Sequence, residues 1–322
     1  MTTANFAPVL LIALSIVSFG CNQRALVYDS IHESAINGDT SDVKRHLHRG
    51  AAVNARDEKG MTPLMHACAK SSFDMVTFLV NQGADINMED KLGQTPLMHA
   101  AAAGKYYIVE LLVQKGARVN ISDDNGITPL MHAISYHSFD MLETVKFFVN
   151  NRADINAKDK QGITPLMLVS SRNELDALVY LANMGADVNA KDDKGRTALM
   201  YASSHYYTNI VEFLIKIGAD ANAKDKTGHT ALSSAVMMCG DNIEMAKFLV
   251  AHGSYIDTMD NNGVTPLLCA VMFEHLDMVK FLVMNGADMH KKSRDGLSPY
   301  RSSSVGLNKD IKNFFDEIQS GK

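Results

Sequence analysis

An all-α solenoid of stacked helix-turn-helix units, with β-turn or hairpin fingers projecting from one side, is the fold class that this sequence predicts. Three observations carry it. A threonine-led phrase returns at Thr62, Thr95, Thr128, Thr164, Thr197, Thr230 and Thr265, then as Ser298, with steps of 33, 33, 36, 33, 33, 35 and 33 residues. Each copy runs from a turn into an apolar stretch, as in "RDEKGMTPLMHA", "SDDNGITPLMHA" and "KDKTGHTALSSA". Each ends on a tail such as "NQGADIN", "QKGARVN" or "NMGADVN". A fixed period of this length marks a repeat architecture, in which a unit cannot bury its own apolar face and stacking supplies the core.

The chain begins differently from the way it continues. Met1 to Gly20 holds no charged residue, and Phe6 to Phe19 is an almost continuous apolar run. As a helix, these fourteen residues span about 21 Å, short of the ~30 Å hydrocarbon core of a bilayer. Residues 1–20 are therefore expected to be a removed signal peptide, with residues 21–26 a short linker. Gly20 before Cys21 is similar to a bacterial lipoprotein signal, which implies lipidation of Cys21 and an exported, envelope-anchored chain. An uncleaved segment on a cytoplasmic adaptor or a secreted effector is the alternative.

Residues 27–56 read as a capping unit: "DSIHESAINGDTSDVKRHLHRGAAVN" keeps the helix-turn-helix pattern but carries charge where the inner units are apolar. Residues 57–292 hold seven full units. In each, Thr is expected to be an N-cap, and in five of the seven it is followed by Pro at the first helical position, where its missing N–H is not needed. Leu64, Met65, Ala67 and Cys68 then fit a short buried helix, and Met75, Val76, Leu79 and Val80 fit a second one. Gly83 suits the left-handed position that ends it. Asp, Asn and Gly between the pairs, as in Asp90 to Gly93, supply turn chemistry for a projecting finger. Residues 293–322 form the closing cap and tail, with Phe314 and Phe315 at paired apolar positions.

Period, phrase and tail together resemble the ankyrin repeat family over Val27 to Ile318. The resemblance implies a non-catalytic scaffold that binds a partner protein through its concave face and finger tips, by the residue before Thr and by positions four and eight after it. Those helix positions hold His66 and Lys70, His99 and Ala103, His132 and Tyr136, Leu168 and Arg172, Tyr201 and His205, Ser234 and Met238, and Cys269 and Phe273. Gln94, Arg196 and His229 add donors at the fingers. Tyr, Arg, Phe and Met are enriched at protein interfaces. The sequence leaves a periplasmic scaffold and an immunity-type inhibitor of a toxin or enzyme both open.

Two departures from the family pattern bear on function. Where the family has His three residues after Thr, this chain has Met65, Met98, Met131, Met167, Met200, Ser233 and Leu268, so an apolar contact is expected in place of a polar one. The recurring His66, His99 and His132 stand one residue later, as a copied helix position or as part of the binding face. Adjacent units lie about 8–10 Å apart, too far for one metal with ~2.0–2.1 Å bonds. With ordinary pKa values near 6.5, the three histidines are expected to add up to three charges between about pH 7.5 and 5.5. The second departure is Arg152 in place of the helix-ending Gly.

The net charge of −5 is interspersed and forms no basic patch, so nucleic acid is not expected as a partner. Membrane contact is expected only through the N-terminal anchor, and the chain is taken as a monomer. Beyond Cys21, Cys68, Cys239 and Cys269 have no regular spacing and suggest no disulfide framework. A Gly-rich phosphate loop, HExxH spacing and a nucleophile elbow are all missing from the sequence, and no cofactor or enzymatic activity is expected. The recurring turn Asp is read as part of the turn alone.

Overall fold

The computed structural model describes residues 27–70, 72–135, 140–238, 243–304 and 309–321. The expected signal segment, Cys21, Tyr136 and Cys239 lie outside them, as do residues 136–139 and 239–242 within the extra residues that the two longer steps place between the helices of the third and sixth full units.

Eighteen helices and no strands are found among the described residues, arranged as nine pairs. The first helices are α1 (Ile31–Ile36), α3 (Pro63–Ala69), α5 (Pro96–Ala102), α7 (Pro129–Ser135), α9 (Pro165–Ser170), α11 (Ala198–Ser204), α13 (Ala231–Met238), α15 (Pro266–Met272) and α17 (Pro299–Ser303). The second helices are α2 (Thr40–His48), α4 (Phe73–Asn81), α6 (Tyr106–Gln114), α8 (Met141–Asn150), α10 (Leu175–Asn183), α12 (Thr208–Lys216), α14 (Glu244–Ala251), α16 (Leu276–Met284) and α18 (Lys309–Ser320). Each first helix packs on its own second helix and on the first helices of adjacent pairs. None of the described helices is long and apolar enough to cross a membrane.

The threonines cap as expected. Thr62 and Thr95 take β-region backbone and accept the N–H of Met65 and Met98, with Pro at the helix start. The substituted third position is not purely apolar, however. Sulfur is a weak acceptor, and Met65 and Met98 Sδ accept the Thr62 and Thr95 N–H at 3.3 and 3.5 Å, while Ser233 Oγ does so from Thr230. A polar contact back to the threonine N–H is thus made from this position in these three units.

The second helices close with a left-handed residue, as at Gly83 (φ 84°), where Ala84 N–H reaches Leu79 O and Gly83 N–H reaches Val80 O. Arg152 keeps this conformation at φ 64° without the freedom of glycine. Such a residue costs about 1–2 kcal/mol, partly offset by the extra unfolded-state freedom that glycine brings. Arg152→Gly is therefore expected to stabilise by about 1 kcal/mol, read as a raised urea midpoint. An unchanged midpoint would mean that the turn carries no strain. Asn173, Tyr206 and Glu274 are also left-handed, in the turns between first and second helices where other units have Gly38 and Gly104.

Neighbouring units are tied in three ways. A buried row of Leu79, Leu112, Phe148, Leu181, Leu214, Leu249, Leu282 and Phe315 runs through the second helices. Finger bonds to finger through one backbone hydrogen bond, for example Lys226 N–H to Lys194 O at 2.8 Å. The closing Asn of each tail forms the third tie: Asn120 Oδ1 accepts Asp154 N–H and its Nδ2 donates to Arg152 O, both at 2.8 Å. Asp257 and His290 occupy the last two such positions. Asp257 accepts Asp288 N–H at 3.2 Å but has no amide hydrogen to return.

The N-terminal cap closes the stack with a buried carboxylate. Asp42 stands where α4 has Met75, and it receives Ser34 Oγ, Arg45 and the Val27 and Tyr28 N–H groups. Burial alone would raise its pKa, but these donors outweigh it and bring it to about 2.

Candidate partner-binding surface

Each finger begins with an Asp five residues before the Thr, and its two oxygens do different work. Asp57 Oδ1 accepts Lys59 and Met61 N–H at 2.8 and 2.9 Å and so builds the turn. Oδ2 points to the first helix, where it meets His66 Nε2 at 2.8 Å. Asp90 and His99, and Asp123 and His132, repeat the pair at 3.1 Å. An ionised carboxylate can only accept, so Nε2 carries the hydrogen. The recurring Asp is therefore more than a turn residue: it bolts the finger to the helix. The spacing of nine between Asp and His carried this signal in the sequence.

The pairs change what the histidines can offer. His132 is buried, and only the edges of His66 and His99 face outward. Burial lowers the pKa of His99 and of His132, over the upward pull of Asp90 and Asp123. The expected gain of up to three charges by pH 5.5 is corrected accordingly, since these two titrate at lower pH than a free histidine. Between their lowered pKa values and the unfolded value near 6.5, the unfolded chain binds more protons. Stability from this source is then complete above pH ~6.5 and is lost as pH falls through that window. Urea midpoints should drop from pH 7.5 to 5.5, and the double variant His99→Gln, His132→Gln should show a shallower drop. Equal slopes in both proteins would remove the ladder from the pH response.

Further along, other residue types take the same role. Arg196 Nε and Tyr201 Oη both donate to Asp192 Oδ2 at 2.9 Å, and the guanidinium lies 4.6 Å from the Tyr201 ring centroid. Burial and the Asp192 carboxylate push the Tyr201 hydroxyl up to about 12, so it stays a donor at neutral pH. Burial pulls the Asp192 pKa upward, but the Arg196 N–H, the Tyr201 hydroxyl and the Arg196 guanidinium prevail and hold it below the usual range. Gln94 Nε2 reaches Asp123 Oδ2 at 3.4 Å, and His229 lies between Asp225 and Asp260.

Four of the residues expected to bind a partner come together here. Arg196, Tyr201, His229 and Met238 line a depression of about 200 Å³ between fingers and first helices, with Met237 and Asp225. Met238 is 64% exposed. Four more lie apart at the ends of the first helices. Lys70 is exposed and Arg172 half-buried, and His205 and Phe273 are exposed and stack on Tyr207 and His275. A larger apolar depression of about 450 Å³, which the sequence did not suggest, opens where α4, α6 and α8 begin, walled by Phe73, Tyr106, Tyr107 and Ile108.

No curated protein is similar enough to the chain to count as a match. The family model for ankyrin repeats in three copies matches residues 31–123, 82–159, 130–225 and 215–293, which together cover most of the chain. With its capped helix pairs, left-handed closures and bonded fingers, the chain belongs to the ankyrin repeat family.

Proposed function

We propose that this chain is a non-catalytic, monomeric scaffold that binds a partner protein on the face formed by its first helices and fingers. The observation that carries the reading is the depression where Arg196, Tyr201, His229 and Met238 converge. It joins aromatic, Arg and Met side chains, the types that interfaces favour, to carboxylates already fixed in place. Phe273, 53% exposed at the C-cap of α15, extends the apolar surface. The edges of His66 and His99, with Lys70 and Gln94, contribute from the other end of the stack.

The proposal includes export and anchoring through a lipidated Cys21 once residues 1–20 are removed, supported by the apolar run and by Gly20 before the cysteine. Intact-mass analysis of the chain from a bacterial host with lipoprotein processing should give a species that begins at a modified Cys21. A species that begins at Met1 would overturn the anchoring. The binding face is tested with a photo-crosslinking residue placed at Met238, at Phe273 or at exposed Glu212 on α12. The same partner should be captured from the first two positions and not from the third. Equal capture from all three would sink the assignment of the face.

A further inference from the structure

Among the described residues, the Asp ladder receives no donor from the first helix at Asp159, Asp225 or Asp260, and of these three Asp225 lines the depression. Finger carboxylates in four units receive a donor on Oδ2 from the first helix, directly at Asp57, Asp90 and Asp123, and with finger help from Arg196 at Asp192; Asp260 Oδ2 instead faces His229 Nε2 of the neighbouring finger at 3.5 Å. In the unit of Asp225 the helix position holds Ser234, whose hydroxyl instead donates to Thr230 O at 3.1 Å. Asp225 Oδ1 is fully used by the Thr227 N–H, the Thr227 hydroxyl and the His229 N–H. Its Oδ2 has only His229 Nδ1, at 3.9 Å, beyond hydrogen-bonding distance, and that nitrogen is already bonded to Thr227 Oγ1 at 2.9 Å. No donor among the described residues reaches Asp225 Oδ2.

This carboxylate is only 13% exposed, so water meets it from one side, through a depression whose other walls are Tyr201, Met237 and Met238. An acceptor so enclosed is costly to leave without a partner. The local charge fixes what can satisfy it. Asp225 is the carboxylate that lines the depression, Asp192 and Asp260 stand behind its Arg196, Tyr201 and His229 walls, and its guanidinium, Arg196, is already committed to Asp192 and Tyr201. An anion would meet the Asp225 carboxylate, with two more carboxylates behind the walls, against one engaged cation. A cation with an aliphatic stem meets a matching apolar wall and a carboxylate in need of a donor.

We propose that this depression takes one lysine or arginine side chain of the partner protein, its charged head on Asp225 Oδ2 and its stem along Met237, Met238 and Tyr201. This rests on the reading of the face as a binding surface, and it names the chemistry that the partner must present there.

The test uses the full chain with 13C-labelled methionine methyls and the probe acetyl-Leu-Lys-Leu-amide, alongside peptides with norleucine or glutamate in place of lysine. The lysine peptide should shift the Met237 and Met238 methyl signals saturably, and the norleucine and glutamate peptides should not. Asp225→Asn keeps the Oδ1 acceptor that builds the turn, so the fold should hold with an unchanged thermal midpoint, while half-saturation weakens at least tenfold. Asp159→Asn, in a finger outside the depression, should bind as the parent does. Equal binding by Asp225→Asn, or equal shifts from the glutamate peptide, would overturn the proposal. If Met238 still captures the partner by crosslinking in that case, the binding face stands and only its lysine site is lost. If Met238 captures nothing selectively, the reading beneath it goes as well.

Discussion

Phe148→Ala should lower stability by about 3–5 kcal/mol and split a single urea transition into two. Phe148 is fully buried at a row position that holds leucine in the neighbouring units, so it fills the most space in the middle of the stack. Truncation removes its transfer energy and leaves a cavity that flanking leucines close only in part. In a solenoid, stability is the sum of weak units and strong neighbour interfaces, and a lesion in the centre removes two interfaces at once. The blocks on either side should then unfold at separate denaturant concentrations. Phe148→Leu, which restores the row's common side chain, should recover most of the loss and a single transition. A single cooperative transition for Phe148→Ala would show that coupling runs through the fingers rather than through this row.

Gly195→Ala should cost about 2–4 kcal/mol, although it adds only one methyl group. Gly195 has φ 80°, and a Cβ there would lie 2.8 Å from Lys226 N and 3.1 Å from both Asp225 C and Cα. The left-handed backbone accounts for about 1–2 kcal/mol, and the forced shift of the next finger adds a further ~1–3. All three obstacles are main-chain atoms, so no side chain can swing aside, and the Lys226 to Lys194 bond must lengthen. Gly185→Ala is the control. Its φ is 94°, but nothing lies within 4 Å of the added carbon, so only the backbone cost of about 1–2 kcal/mol should appear. Equal midpoints for the two variants in urea melts would mean that the fingers are free to separate.

The fold was legible because each element depends on short-range chemistry. Thr before Pro announces a helix start, Gly83 and its equivalents announce an end, and the period dictates stacking. What was hidden depends on the second partner of a contact. Tyr206 and Glu274 adopt a conformation normally left to glycine, and nothing in either side chain signals it; the surrounding helices impose it. His66 was visible as a repeated residue, but its partner Asp57 had been fully explained by the turn, which conceals the second oxygen. The depression at Asp225 was partly visible: Arg196, Tyr201, His229 and Met238 were singled out one column at a time. Their convergence across two units needed coordinates. Asp225 itself went unnoticed because its distinction is a donor that Ser234 is too short to supply.

The tail ladder has a mechanical consequence. Under tension applied at the two ends, each interface between units carries the whole load, because the units are joined in series, and rupture begins at the weakest. Most links there are doubled, as where Asn120 both accepts from and donates to the next unit. At Asp257 the return bond is missing, and the accepted one is longer. The last full unit and its cap should therefore peel away first. A pulled molecule would shed its C-terminal end at low force while the block that carries the Asp225 depression remains folded, leaving the binding face intact beneath a frayed tip.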